Sequence, residues 1–178
     1  MKVYILDADS DRYKSLVMIT GDLFELVRRF NGKPMKRPWT DVKIGLAPDA
    51  NTFPKGDFPS LIPSVPIFSP RAISALGDLL ESNGEVLPIV CDSEQYFIFN
   101  VTRVVDALDE SNSEIVRFKD SSRVLNIRDY AFLKDRISEL TIFKIPQDNT
   151  IFVTDIFVKR VKSKKLKGFW FPHVWSSE

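Results

Sequence analysis

Cysteine and histidine are almost absent from this sequence, and Cys91 and His173 are the only residues of their types. A single cysteine excludes an internal disulfide and a Cys-x-x-Cys metal site. Because Cys91 lies in the apolar run VLPIVC, with no basic neighbour to lower the pKa of its thiol, we expect a buried structural thiol. A catalytic histidine needs a nucleophile and an orienting acid. We instead expect His173 to lie partly exposed among the neighbouring aromatic residues.

The chain also lacks an overall charge, a long hydrophobic run and a phosphate-binding glycine motif. Its net charge of +1 favours neither nucleic acid nor an acidic membrane. No apolar run reaches the roughly 18 residues of a membrane span. The beginning, MKVYILDADSDRYK, lacks the apolar core of a signal peptide. The glycines form neither a GxGxxG nor a GxxxxGK[ST] motif. We therefore expect a cytoplasmic protein that has no membrane partner.

Carboxylates remain as candidates for a metal site, and DADSD at residues 7–11 places aspartate at alternate positions. A calcium loop also needs a glycine at its sixth position and a glutamate at its twelfth. Arg12 and Met18 occupy these positions. We therefore predict that the protein uses no metal and no cofactor.

Apolar and aromatic residues, by contrast, are abundant. The 178 residues are 44% hydrophobic and 28% charged and include 14 phenylalanines, a composition typical of a globular fold. Helical and alternating patterns are mixed without a regular βαβ order, which favours an α+β fold with a mostly antiparallel sheet and a few packed helices. We predict a single compact domain over residues 1–178, with an irregular proline-rich N-terminal segment.

Capping signals predict two helices in the first half of the chain. One covers residues 22–30 and ends at Asn31-Gly32. The clearer one begins at Ser69, whose hydroxyl can accept a hydrogen bond from a free backbone N–H group. Pro70 follows at the first helical position, where proline costs no useful hydrogen bond.

The second half contains weaker helical patterns. Apolar spacing favours short helices over residues 101–108 and 132–140. Thr154 is predicted to cap a last helix that ends at Gly168. The side chains predicted to face inward from this helix are Ile156, Phe157, Val161 and Leu166.

Alternating and β-branched runs predict the strands. The residues DSEQ at 92–95 are predicted to join two of these strands as a hairpin. The predicted strands cover residues 3–6, 42–46, 85–91, 96–101, 114–118, 124–127, 140–145, 151–153 and 169–171.

Proline is concentrated between residues 32 and 66, which contain seven of the eleven prolines. Each removes a backbone donor and disfavours helix in the preceding residue. Large apolar residues in the same segment favour an ordered surface loop over a disordered linker. These anchors are Trp39, Phe53, Phe58, Leu61 and Ile62.

Opposite charges are concentrated in two segments. Residues 81–114 contain eight acidic residues and one arginine, and residues 155–168 contain six basic residues and one aspartate. The acidic loop, residues 106–114, could steer a basic partner through its field, although any single carboxylate there is typical of a solvated turn. The basic run KRVKSKKLKG is typical of the solvated end of a helix, where cations are favoured.

Three blocks in a fixed order resemble a family of bacterial immunity proteins, the eleventh in the classification of polymorphic toxin systems. The blocks are PIFSPRAISALGDLLESNGEVLPI, then YFIFNVTRVVDALDESNSEI, then IFKIP followed by IFVTDIFVKRVKSKKLKGFWFPHVW. The resemblance covers most of the chain after Pro59. It divides the chain into a variable portion, residues 1–66, and a family-like core, residues 67–178.

The resemblance implies a protein that is encoded beside a secreted or contact-dependent toxin and protects the producing cell by binding the toxin domain. Such a protein needs a stable scaffold and a complementary surface, not an active site. We therefore expect a non-enzymatic inhibitor whose partner is the cognate toxin domain, and we leave open whether it forms a homodimer. The predicted toxin-binding residues, all in the acidic loop, are Asp106, Asp109, Glu110 and Glu114.

Two other functions remain open on the sequence. A hydrolase or transferase would need carboxylates such as Asp7, Asp9 and Asp155 to converge in a pocket. A nucleic-acid-binding module would use the basic residues of the last helix. These are Lys159, Arg160, Lys162, Lys164, Lys165 and Lys167.

Overall fold

The computed structural model describes residues 1–35, 42–48 and 52–177. Within these ranges the chain has an α+β fold with mostly antiparallel sheets, as the sequence predicts. The helices are α1 (Leu23–Arg29), α2 (Pro70–Leu80), α3 (Lys134–Ile137) and α4 (Asp155–Ser163). The strands are β1 (Lys2–Ile5), β2 (Asp7–Ala8), β3 (Leu16–Thr20), β4 (Lys43–Leu46), β5 (Ile67–Phe68), β6 (Gly84–Cys91), β7 (Glu94–Val101), β8 (Glu114–Arg117), β9 (Val124–Asp129), β10 (Ile142–Phe143), β11 (Phe152–Thr154), β12 (Phe169–Trp170) and β13 (His173–Ser176).

The first sheet holds the N-terminal strand between strands from the other end of the chain. Its order is β10-β11-β1-β13, and each pair is antiparallel. After Leu6 the chain continues into β2, which pairs with β12. The strands of residues 1–8 therefore pair with strands formed by residues 152–176.

The second sheet has the order β3-β4-β6-β7-β5, with β4 and β6 parallel and the other pairs antiparallel. Strands β6 and β7 form the predicted hairpin. Asp92 and Ser93 form its turn with φ values of 46° and 71°, the left-handed conformation of two-residue hairpin turns. The Asp92 carboxylate accepts a hydrogen bond from the backbone N–H of Leu46 at 3.0 Å, which ties this turn to β4.

Helix α2 begins where the sequence predicts. The Ser69 hydroxyl accepts a hydrogen bond from the backbone N–H of Ala72 at 3.1 Å, and Pro70 is in the first turn. A cap of this kind contributes about 1 kcal/mol to stability. Leu76 and Leu80 are fully buried in a core that α2 and α4 build together with side chains of both sheets.

Two further apolar clusters flank this core. One gathers aromatic rings beside the first sheet, where the Phe132 ring meets the edges of Phe143 and Phe152 with centroids 5.8 and 5.2 Å apart. The other lies under α1. Consecutive residues Ile98 and Phe99 of β7 point to the α1 cluster and to the α2–α4 core respectively. The second sheet is therefore covered on both faces at β7.

The short helix predicted over residues 101–108 is wrong. This segment is extended and forms isolated bridges, Val104 with Lys144 and Leu108 with Phe132. Its helical spacing of apolar residues is too short to stabilise a helix by itself. Backbone pairing with Lys144, through bonds of 2.9 Å in both directions, determines the conformation instead.

The last two predicted helices are confirmed in part. The helix predicted over residues 132–140 forms only as α3. Thr154 precedes α4 as predicted, but its hydroxyl donates to the carbonyl of Leu140 at 2.8 Å and makes no capping bond. The inward orientation of Ile156 is wrong, since this residue is 44% exposed. The junction with β11 sets the rotation of α4, and Val158 is buried in place of Ile156.

The proline-rich segment is anchored as predicted at some positions. Phe58 is buried in the α2–α4 core, and Leu61 and Ile62 pack against the α1 cluster. Phe53 is 38% exposed and therefore a weaker anchor than predicted. Trp39 lies outside the described residues. The strand predicted at residues 42–46 is β4.

Candidate interaction surfaces

Asp109 organises the acidic loop. Its carboxylate accepts hydrogen bonds from the hydroxyl of Ser111 at 2.6 Å and from the side-chain amide of Asn112 at 2.7 Å. These bonds, with that of Ser111 first, lower the pKa of Asp109. Asp109 therefore shapes the turn with its own carboxylate oxygens.

The other three predicted binding residues are paired with arginines. The distances are 2.7 Å for Glu110–Arg117, 3.0 Å for Glu114–Arg128 and 3.5 Å for Asp106–Arg136. These arginines lie in β8, β9 and α3. All three are outside residues 81–114, the segment in which the acidic residues are concentrated. The field of the loop is therefore weaker than its composition indicates.

One further side chain, that of Gln147, connects two carboxylates of the acidic loop. The amide nitrogen of Gln147 lies 3.4 Å from Asp106 and 3.5 Å from Glu110. The structure thus brings Asp106 and Glu110 together around Gln147, which the sequence did not single out.

The basic residues of α4 and of the segment that follows it divide into two groups. Lys159 pairs with Asp155 at 3.4 Å. Arg160 forms two bonds of 2.7 and 3.0 Å with Asp78 on α2, and its guanidinium holds the pKa of that carboxyl below its usual range. The remaining lysines are exposed and have no ion pair among the described residues. They are Lys162, Lys164, Lys165 and Lys167.

One of these lysines, Lys167, lines a cleft of about 570 Å³ at the start of α2, and the backbones of Lys164 and Lys165 contact Arg71 of the same cleft. We call it the basic cleft; it is lined by Lys55, Gly56, Asp57, Ser69, Pro70, Arg71, Glu94, Gln95, Tyr96 and Lys167. Arg71 donates to the carbonyls of Lys164 and Lys165, which places the end of α4 on the wall of the cleft. Lys55 pairs with Glu94 across the opening.

Asp57 forms the floor of the basic cleft. Its buried carboxylate accepts hydrogen bonds from the Ser69 hydroxyl at 2.9 Å, the Arg71 guanidinium at 2.6 Å and the backbone N–H of Lys167 at 2.8 Å. One side chain therefore joins the proline-rich segment to the beginning of α2 and the residues after α4.

The aspartates considered for catalysis are held separately. The Asp7 carboxylate accepts a hydrogen bond from the N–H of Ala8 at 2.7 Å, Asp9 pairs with Arg12 at 2.6 Å, and Asp155 pairs within α4. No hydrogen bond joins any two of these three aspartates within the described ranges. In the same ranges, no three histidine, cysteine, aspartate or glutamate side chains are placed to hold a metal ion.

Cys91 and His173 lie as the sequence predicts. Cys91 is buried, and burial raises the pKa of its thiol to about 11, far from the range of a nucleophilic thiolate. His173 is exposed, with its ring edge-on to Tyr4 at 5.4 Å and its Nε2 2.8 Å from the hydroxyl of Ser176. No helix in the described part of the chain is long and apolar enough to cross a membrane.

Comparison with known families adds the decisive observation. Residues 90–175 match the Immunity protein family (Imm11). The resemblance seen in the sequence is therefore confirmed over this segment, and the match indicates an immunity function. No curated protein matches the chain. The Imm11 segment contains the acidic loop, α4, Lys164, Lys165 and Lys167.

Two buried polar residues within the Imm11 segment were missed by sequence reasoning. The Lys144 ammonium donates to the carbonyl of Phe30 at 2.8 Å, and Asn100 donates to Glu85 at 2.9 Å. Lys144 and Asn100 are almost completely buried. The signal available in the sequence was a lone lysine between the apolar pairs of IFKIP. These bonds hold the chain that leaves α1, because Glu85 also accepts from the N–H of Met35.

Proposed function

We propose that this protein is a cytoplasmic immunity protein that neutralises a cognate bacterial toxin by stoichiometric binding and so protects the producing cell in bacterial competition. The observation that carries the proposal is the match of residues 90–175 to the Imm11 family. Binding alone would account for protection, so the proposal gives the protein no catalytic role and no cofactor.

The position of β1 supports a further part of the proposal. Because β1 lies between β11 and β13, we propose that residues 1–66 and 67–178 act as one domain. The variable portion then contributes directly to the scaffold that presents the binding surface.

The test is co-expression with the toxin domain encoded by the neighbouring gene. We expect the protein to restore growth of cells that produce this toxin, and the purified pair to elute together at a 1:1 ratio. A toxin domain from an unrelated system serves as the control and should be neither bound nor neutralised. Absence of both rescue and co-elution with every neighbouring toxin candidate would refute the proposal.

The acidic loop keeps a limited role in this proposal. Since Glu110 and Glu114 are already paired with arginines, the double variant Glu110→Gln/Glu114→Gln should weaken toxin binding by less than about tenfold, as expected for exposed ion pairs. The measurement is the dissociation constant at two salt concentrations. A loss of a hundredfold or more would make the loop the principal contact instead.

A further inference from the structure

One face of the second sheet is only half covered. Side chains of directly paired residues point to the same side of a sheet. Phe99, which pairs with Val86, is buried in the α2–α4 core, whereas Val86 itself is exposed. Along the same face Val90 pairs with Gln95 and is 57% exposed. Helix α2 therefore covers this face at β7 and leaves it open at β6.

The open face continues across β4 and β3. Val17 of β3 pairs with Gly45 of β4 and is exposed. Ile19 is 59% exposed and lies over Gly45, where a Cβ would approach its Cδ1 to 2.7 Å. We call this surface the open sheet face; its exposed apolar residues are Val17, Ile19, Val86, Pro88 and Val90.

The open sheet face adjoins the basic cleft. Gln95 pairs with Val90 on this face and also lines the cleft, beside Glu94 and Tyr96. An apolar area with a charged border is the usual composition of a protein–protein interface. The border here is cationic, because Lys164, Lys165 and Lys167 have no ion pair among the described residues, unlike the carboxylates of the acidic loop.

We propose that the open sheet face and the basic cleft together form the docking surface for the toxin domain, and that the toxin presents an apolar patch bordered by acidic side chains. This inference rests on the proposed function and specifies the chemistry of the partner. Apolar contacts fill the centre of the interface. The lysines accelerate association through their field and fix the orientation of the toxin.

Two other ligands fit this surface less well. A compact anion at the start of α2 would meet the carboxylate of Asp57, which already binds Ser69 and Arg71 on the floor of the cleft. Nucleic acid would pair with the lysines but leave the apolar side chains of the sheet in water, whereas protein–DNA interfaces are more polar than protein–protein interfaces. A protein whose carboxylates surround an apolar patch would contact both the lysines of the basic cleft and the apolar side chains of the open sheet face.

The first experiment compares matched charge reversals. The cleft variant is Lys164→Glu/Lys165→Glu/Lys167→Glu, and the control variant reverses three exposed lysines elsewhere, Lys2, Lys119 and Lys134. Binding of an inactive form of the neighbouring toxin domain is measured by stopped-flow and calorimetry. We expect the cleft variant to bind about 30-fold or more weakly, mainly through slower association, with the difference shrinking at high salt. The control variant should differ from the wild type by less than about threefold.

The second experiment tests the apolar half of the surface. The double variant Ile19→Thr/Val90→Thr keeps β-branched side chains in both strands. Leu125→Thr is its control, since Leu125 is 56% exposed in β9, away from this sheet. We expect the double variant to lose about tenfold in affinity, mainly through faster dissociation, and the control to bind as the wild type. Circular dichroism and thermal unfolding should show that all variants are folded.

Carbodiimide coupling tests the chemistry of the partner directly. This reagent joins contacting amines and carboxylates, so mass spectrometry should find Lys164, Lys165 or Lys167 linked to aspartates or glutamates of the toxin domain. Toxin binding by the wild type that is unchanged in both variants, without such links, would overturn this inference and leave the proposed function standing. No binding by the wild type would refute the proposed function itself.

Two further outcomes would assign the surface to other partners. If the cleft variant loses affinity for a single-stranded RNA or duplex DNA probe while toxin binding is unchanged, the lysines serve nucleic acid and the inference is wrong. If the wild type is a dimer in light scattering and Ile19→Thr/Val90→Thr is a monomer with unchanged toxin affinity, the open sheet face belongs to a second copy of this chain.

Discussion

Replacing Asp57 by alanine is expected to lower the free energy of unfolding by about 3 kcal/mol. The buried carboxylate accepts three hydrogen bonds from Ser69, Arg71 and the backbone of Lys167. These partners belong to different segments, and Lys167 is 110 residues away along the chain. Alanine would leave the partly buried backbone N–H group of Lys167 without its acceptor and would remove one of the acceptors of the Arg71 guanidinium.

The expected loss of free energy of unfolding combines three hydrogen bonds of unequal strength. Hydrogen bonds to an ionised acceptor contribute roughly 1.5–3 kcal/mol each when both partners are buried. The Arg71 side chain is half exposed, so its bond is discounted to about 0.5 kcal/mol for solvent screening. The largest share belongs to the bonds with Ser69 and with the N–H of Lys167, which are partly buried.

Urea denaturation of four proteins measures this effect: the wild type, Asp57→Ala, Ser69→Ala and Arg71→Ala. We expect Ser69→Ala to lose about 1–2 kcal/mol, because it removes both the helix cap and a bond to Asp57. Arg71→Ala should lose less than about 1 kcal/mol. A loss for Asp57→Ala no larger than that for Arg71→Ala would show that Asp57 does not connect the three segments.

The sequence predicted those elements that depend on residues close together in the chain. The beginning of α2 depends on Ser69 and Pro70, which are adjacent in the chain, and the hairpin of β6 and β7 depends on a turn between neighbouring strands. Both predictions are confirmed. Residues 7–8 lie in none of the predicted strands, yet Asp7–Ala8 form β2 through pairing with β12.

Structure that depends on distant partners was missed. Strands β3 and β5 and the strand that contains His173 were not predicted, because short strands become regular only through their neighbours in a sheet. Residues 101–108 have helical spacing but take the conformation that pairs with Lys144. Ile156 has the right spacing for the inner face of α4 and still points to solvent.

The charges of the candidate surfaces also depend on partners that are distant in the sequence. A count of charges along residues 81–114 singled out the acidic loop, but its arginine partners come from β8, β9 and α3. The basic run after Asp155 contains two residues that are paired and others that are not. Which charges act on a partner is therefore decided by the fold, and the open sheet face could not be inferred from the alternation of β6 alone.

Lys144 provides the second large expected effect, a dependence of stability on pH. Its side chain is 2% exposed and its ammonium donates to the carbonyl of Phe30. Burial lowers the pKa of Lys144 to about 8, and the charge of Asp148 opposes this shift only in part. Between this value and the ordinary lysine pKa of about 10.4, the folded protein holds a neutral amine while the unfolded chain holds an ammonium.

The sign of the effect follows from proton binding. In this pH range the unfolded chain binds more protons than the folded protein, so raising the pH favours the folded protein. Relative to Lys144→Met, the wild type should therefore gain about 3 kcal/mol in free energy of unfolding between pH 7 and pH 11. Below pH 8 both states are protonated, and the cost of burying the ammonium is fully present.

The measurement is urea denaturation of the wild type and Lys144→Met at intervals of half a pH unit. The difference between the two proteins cancels the titration of tyrosines and other groups that they share. Lys2→Met, which removes an exposed ammonium, serves as the control for loss of a positive charge. A difference between the wild type and Lys144→Met that is constant from pH 7 to pH 11, or that falls with rising pH, would show that Lys144 is not buried as a charge.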